Sequence, residues 1–183
     1  MEGTTTLALA VSLALIGGVC VAPCARSQTS SLESFDGTWV LGNTARNRRD
    51  VEQGIDLVAD QLNLFIREIA RGEMHRRIRS DQRITLGVQS ETRVSLTIDA
   101  WGPNSFELGG ARTRVRGPAG SPIRVSIDFG RGRLIEREIH GQGSRTNVFS
   151  LSGDESHMTV AARIGSDQLP DDVRYRLTYT RVR

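Results

Sequence analysis

The chain has 183 residues, 38 % apolar and 25 % charged. That length points to one domain, and the composition excludes a collagen, a coiled coil or a disordered chain. All 24 basic residues are Arg, against 21 acids, for a net charge of +3. The signs are interspersed, so even a pI near 9.5 gives no argument for a nucleic-acid partner. Nothing in a fold demands the absence of Lys; it reads as codon drift in a GC-rich genome.

Residues 1–27 read as a secretory signal peptide. Leu7 to Ile16 is an apolar run broken only by Ser12, and it continues through Gly17-Gly18 to Ala22 before Pro23. A bilayer-spanning helix needs about 20 apolar residues, so this run fits the core of a signal peptide better. Ala25-Arg26-Ser27 then offers an A-x-S cleavage site. The segment before the run has no Lys or Arg, and it carries Glu2. Cys20 and Cys24 both lie in this leader with poor lipid-anchoring contexts, so the mature chain has neither disulfides nor thiol chemistry. The expected location is periplasmic or extracellular.

The mature chain, residues 28–183, reads as a strand, a long helix, then strands. Gly37 to Leu41 is the first strand. Asp50 is a candidate N-cap. Val51, Ile55, Val58, Leu62, Phe65 and Ile69 are then spaced 4, 3, 4, 3, 4, which predicts one amphipathic helix over about 50–78. Acids Glu52, Asp56 and Asp60 precede Arg67, Arg71, Arg76 and Arg77, an order that complements the helix dipole.

After residue 82 the apolar period becomes two. Ile84-Leu86-Val88, Val94-Leu96-Ile98, Ile123-Val125-Ile127-Phe129, Met158-Val160-Ala162-Ile164 and Val173-Tyr175-Leu177-Tyr179 alternate with other residues. Shorter candidates are Ser105 to Leu108, Arg112 to Arg116, Leu134 to His140 and Asn147 to Leu151. Turns separate them at Trp101-Gly102-Pro103-Asn104, Gly109-Gly110, Gly130-Arg131-Gly132 and Gly153-Asp154. The fold class is mainly β: an antiparallel up-and-down β-barrel of about 8–9 strands, with the helix inserted after the first.

Phe35-Asp36-Gly37-Thr38-Trp39 resembles the opening of the calycins, the superfamily of lipocalins and fatty-acid-binding proteins, whose first strand carries a G-x-W motif. The resemblance implies that Gly37 and Trp39 lie at the barrel floor, with a basic residue of the last strand across the Trp ring. Tyr175, Leu177, Tyr179 and Arg181 share one strand face, which makes Arg181 the candidate for a cation–π contact. A helix between the first and second strands is similar to the helical insertion of fatty-acid-binding proteins, and the export signal is more like a lipocalin.

Chemistry-bearing candidates are few. Glu136, Glu138 and His140 share a strand face and are legitimate zinc or iron ligands. With Ile135 and Ile139 as the buried side, the expectation is a solvated outer face. His75 and His157 read as surface residues. There is no G-x-S-x-G elbow, no phosphate loop and no Rossmann glycine pattern. Arg112, Arg114 and Arg116 alternate on one face, either as an anion site or as a charged edge. The nine aromatics form no stacking platform.

The expected function is non-enzymatic: an exported barrel binding a small apolar or amphipathic ligand, without a cofactor. The resemblance implies a cavity lined by Leu96, Ile98, Val125, Ile127, Phe129, Tyr175 and Leu177, with Leu62, Phe65 and Ile69 above it. The alternatives are a filled barrel acting as an envelope interaction protein or inhibitor, and a metal- or haem-binding barrel. The sequence names no protein partner and gives the mature chain no membrane span.

Overall fold

The computed structural model describes residues 30–78, 81–117, 120–141 and 143–182. The signal-peptide reading therefore lies outside the described residues.

Ten strands form a single antiparallel sheet. They are β1 (Gly37–Leu41), β2 (Arg83–Ser90), β3 (Arg93–Ile98), β4 (Trp101–Glu107), β5 (Thr113–Arg116), β6 (Pro122–Gly130), β7 (Arg133–His140), β8 (Gly143–Leu151), β9 (His157–Ser166) and β10 (Val173–Val182). The spatial order is β4-β3-β2-β1-β10-β9-β8-β7-β6-β5. Every neighbour except the β1–β10 pair is also a neighbour in sequence, so this is an up-and-down meander curled until its first strand meets its last. The two edges, β4 and β5, are joined sparsely. Trp101 Nε1 donates to the Arg116 carbonyl at 2.6 Å, and Gly109 N to the Ile127 carbonyl at 2.9 Å. The barrel is nearly closed.

The expected 8–9 strands are ten. Trp101 to Asn104 was expected as a turn; it opens β4 instead, and the reversal falls at Asp99 and Ala100. Trp101 is buried and pairs with Ile98, so burying the indole draws this polar, Gly-Pro-containing stretch into the sheet.

The single helix is two: α1 (Thr44–Ala59) and α2 (Leu64–Arg77). Asn43, not Asp50, caps α1, accepting from Arg46 N at 3.3 Å. Asn63 restarts the helix from an extended conformation, and its side chain accepts from Phe65 N and Ile66 N at 3.1 and 3.2 Å. An Asn at that point competes with the backbone for the orphan amides and favours a new N-terminus over continuation. The apolar spacing runs through the break because Leu62 sits in the connecting turn. The acids of α1 do not simply complement a dipole. Arg71 bridges Asp56 at 2.9 Å, Asp60 at 3.5 Å and Glu68 at 2.6 Å, tying the two helices together.

β1 pairs with Tyr179 to Val182 of β10, so the stretch Val173–Thr178 extends beyond it on that side. Helix α1 lies along this free edge. Asn47 Oδ1 accepts from Thr178 N at 3.0 Å, and its Nδ2 donates to the Thr178 carbonyl at 3.2 Å and the Gly42 carbonyl at 2.6 Å. Asp50 accepts from Arg176 N at 2.8 Å. One helix turn on, Gly54 meets Arg174, and a Cβ there would stand 2.3 Å from the Arg174 carbonyl oxygen. Asn47, Asp50 and Gly54 thus act as a substitute strand, satisfying backbone groups that would otherwise be a pairing liability.

Candidate functional site

At one end of the barrel, Trp39 is fully buried and donates from Nε1 to the Phe35 carbonyl at 3.1 Å. The Arg181 guanidinium lies over its ring with Cζ 4.5 Å from the centroid, and Arg181 Nη2 also donates to the Ser34 carbonyl. Gly37 begins β1 with φ +130°, a conformation open to glycine. This arrangement needs the preceding 3-10 turn, Glu33–Phe35, to bring two carbonyls to the indole and the guanidinium.

Toward the other end, the inner face is not apolar throughout. Cross-strand register places Ile127, Glu136, Asn147, Ala162 and Tyr175 in one row, and Val125, Glu138, Arg145, Ile164 and Val173 in the next. The Glu136 side chain carries no accessible surface, and Asn147, Asp81 and Glu138 are also buried. The solvated outer face expected for Glu136 and Glu138 is overturned: Ile135 and Ile139 point outward and are half-buried, and only His140 is exposed. The phase follows Leu134, which is buried and pairs with Phe149.

Glu136 and Asp81 have partners on β8. Asn147 Nδ2 donates to Glu136 Oε2 at 2.7 Å. Arg145 Nε donates to Asn147 Oδ1 at 3.1 Å, and its Nη2 reaches Asp81 Oδ2 at 3.4 Å, with only 15 % of its side chain exposed. Tyr179 donates its hydroxyl to the Asp81 carbonyl at 3.0 Å. Among the described residues, two buried side-chain oxygens have no hydrogen-bond partner: Glu136 Oε1 and the Tyr175 hydroxyl.

Burial, then the charge of Glu138, pushes the Glu136 carboxyl up to about 8, against the Asn147 hydrogen bond and the charge of Arg145. Both causes favour the neutral acid over the carboxylate. Burial opposes the charge on Arg145, and the acidic neighbours Tyr175, Asp81, Glu138 and Glu136 more than offset it, holding the guanidinium protonated. Burial raises both tyrosines. Sequence reasoning missed Arg145, Asn147 and Asp81. The available signal was the alternation Arg145-x-Asn147-x-Phe149, which puts both polar residues on the face of a core phenylalanine.

The residues expected to line a cavity divide. Leu96, Ile98, Val125, Ile127, Tyr175 and Leu177 all point inward and are buried. Phe129 is half-buried and makes an edge-to-face contact with Phe35, centroids 6.1 Å apart, so it belongs to the Trp39 end. The three helical residues do not cover the interior. Leu62 is half-buried in the turn, and Phe65 and Ile69 are 92 % and 73 % exposed. The break at Asn63 reorients α2, which packs on α1 and buries Met74 in the core while leaving Phe65 and Ile69 outside it. Leu57, Leu64 and Ile66 are exposed beside them. His75 and His157 are exposed. Arg114 and Arg116 are exposed and, with Val115, Gly120 and Pro122, line an open hollow of about 370 Å³ on the outside.

No protein-family model and no curated protein sequence matches the chain. Solved structures do. A SAHS protein of Ramazzottius varieornatus superposes with TM-score 0.53 at 10 % identity, over 81 % of this chain and 96 % of its own. The apo lipid binding protein 8 of Caenorhabditis elegans gives 0.51 at 14 %, over 84 % and 99 %. The Schistosoma mansoni fatty acid binding protein, solved with arachidonic acid, gives 0.50 at 15 %, over 84 % and 100 %. The fold is that of the calycin barrels. At these identities the likeness is one of fold. The two helices of this chain lie between β1 and β2.

Proposed function

We propose that this calycin barrel is a non-enzymatic carrier that holds a small amphipathic molecule among its inward residues. The observation that carries this reading is the pair of buried oxygens without partners, Glu136 Oε1 and the Tyr175 hydroxyl, on an inner face that combines aliphatic and aromatic groups with Glu138, Arg145 and Asn147. An unsatisfied buried polar atom costs about 1–3 kcal/mol, and native proteins keep few of them. Apolar walls with a few convergent polar groups are the usual chemistry of a small-molecule site. The neighbouring folds belong to proteins named for binding lipids and fatty acids, which supports the same reading. The leader, residues 1–27, supports export to the periplasm or beyond.

The packing favours a second reading, a filled barrel that acts through its outer surface. Leu96, Val125, Ile127 and Phe149 have no accessible surface, so no void of water size lies against them. A ligand has to displace side chains to enter. Native mass spectrometry separates the two readings, using protein purified from an exporting host without detergent. The carrier reading expects an added mass that leaves on solvent extraction, or uptake of an offered amphiphile. A clean mass with no uptake overturns it and leaves the filled barrel.

A further inference from the structure

We propose a second site, on the outside of the barrel: the β5–β6 hairpin binds a terminal phosphate group between Arg114, Arg116 and Arg124. The site stands whether the interior is hollow or filled.

The register brings the three side chains together. β5 pairs with β6 as Arg114↔Arg124, Val115↔Ile123 and Arg116↔Pro122. Ile123 is buried, so alternation turns Arg114, Arg116 and Arg124 outward, and all three are exposed. The Gly117 N–H donates to the Ser121 carbonyl at 2.7 Å, and the Arg116 carbonyl turns away from β6 to accept from the Trp101 indole. Both bonds put Arg114 and Arg124 at a non-hydrogen-bonded pair, where the Cα atoms of opposed residues stand only about 4.5 Å apart. Arg116 lies about 7 Å along the strand from Arg114 and about 7–8 Å diagonally from Arg124, a separation that long side chains bridge. Three guanidiniums therefore reach one point.

Their donors are unspent. Among the described residues, none of these three side chains makes an ion pair or a hydrogen bond. By contrast, Arg137, Arg163 and Arg174 on β7, β9 and β10 each meet an aspartate. Like charges directly opposite on a sheet are destabilising. Charge on an edge strand guards against pairing with another chain, but Arg124 lies on β6, one strand in from the edge, where it guards nothing and raises the cost of Arg114. Beside the pair is the open hollow of about 370 Å³, walled by Arg114, Val115, Arg116, Gly120 and Pro122, which gives room for a phosphate and the group that bears it.

The charge count selects the ligand. Guanidiniums offer donors only, in planar forks that match pairs of oxygens on phosphate or carboxylate. A single carboxylate cancels one positive charge of the three and presents two oxygens. A phosphate monoester brings a charge of about −1.5 to −2 and three strong acceptor oxygens, enough for a fork from each of the two strands. Bound there, it removes the repulsion between Arg114 and Arg124.

The test is calorimetric titration of glycerol phosphate, a monoester dianion, against succinate, whose two charges sit on separate carboxylates, at pH 7 and matched low ionic strength. Glycerol phosphate should bind about 10-fold tighter than succinate, and Arg114→Gln and Arg124→Gln should each weaken it by about 10-fold. Arg133→Gln, an exposed arginine at the opposite end of the β6–β7 pair, should leave binding unchanged. Without phosphate, Arg124→Gln should melt about 1–3 °C above wild type, because it relieves the opposed charges. No binding of glycerol phosphate, equal binding of succinate, or the same loss in Arg133→Gln overturns the site. Phosphatidylcholine vesicles containing phosphatidic acid present the same terminal phosphate on a lipid. Pelleting with them that glycerol phosphate reverses assigns a lipid source, and absence of pelleting, with glycerol phosphate bound in solution, assigns a soluble phosphoester.

Discussion

Replacing Glu136 by Gln measures what the buried acid does to the fold. In wild type the folded pKa is about 8, raised first by burial and then by Glu138, against an ordinary value of 4.5. Between those two pH values the folded state binds more protons than the unfolded state. Its stability is therefore greatest below the unfolded pKa and declines as pH rises through the folded pKa. At about 1.4 kcal/mol per pH unit, wild type loses roughly 3 kcal/mol from pH 5 to 7 and roughly 4 by pH 8 from this group. Gln does not ionise, accepts the same bond from Asn147, and puts an unpartnered amide where an unpartnered acid oxygen stood. Glu136→Gln should exceed wild type by roughly 3 kcal/mol at pH 7 and by under about 1 kcal/mol at pH 5. Urea unfolding at pH 5, 7 and 8 reads this as a shift in midpoint at constant slope. The difference between the two proteins removes contributions from the histidines. If the two stability curves run parallel from pH 5 to 8, Glu136 ionises freely inside the barrel and the reasoning fails.

Two further substitutions test the frame around the site. Trp39→Ala should destabilise by about 3–5 kcal/mol, because the ring is fully buried, with about 1 kcal/mol more from the lost Arg181 contact. A change below about 1 kcal/mol in the same urea assay would show that the neighbouring side chains close over the gap. Gly54→Ala drives a methyl to 2.3 Å from the Arg174 carbonyl oxygen, which forces α1 off the edge of β10. It should cost about 1–3 kcal/mol despite the better helix propensity of Ala, with faster amide exchange at Arg176 and Thr178; unchanged protection at both positions would refute the edge-capping role.

Much of the barrel was legible because its information is local. Val94 to Ile98 and Val173 to Tyr179 alternate cleanly, and each became a strand with the expected face inward. The Trp39–Arg181 contact was legible because the two residues sit on a named motif and a fixed strand parity. The failures are places where tertiary context outweighs pattern. Asp50 has the chemistry of an N-cap, but its partner is Arg176 N, far along the chain, and the helix begins earlier. The 4-3-4-3-4 spacing could not reveal that Asn63 breaks the helix, since a cap is decided by backbone conformation. Glu136 and Glu138 were assigned outward by hydrophobic parity. On β7 that parity is inverted, because Arg145 and Asn147 on the next strand make two inward carboxyls tolerable.

That inversion bears on which parts of the barrel can yield. Helix α1 is fixed: Asn47 and Asp50 hold backbone groups of β10, and Ile55, Val58 and Ala59 are buried. The β4–β5 seam is held differently, by the Trp101–Arg116 bond and the lap of Gly109 onto Ile127, with no ladder between the two strands. Helix α2 rests on α1 through Arg71 and on the core through Met74, and leaves Leu64, Phe65 and Ile69 in water. Exposed ion pairs of that kind contribute little, about 0–1 kcal/mol. Segments with few buried apolar contacts open first. On the carrier reading, a ligand enters through the seam and not under α1. Binding should then be slow relative to diffusion, since the side chains that fill the barrel must move before a ligand's tail can replace them.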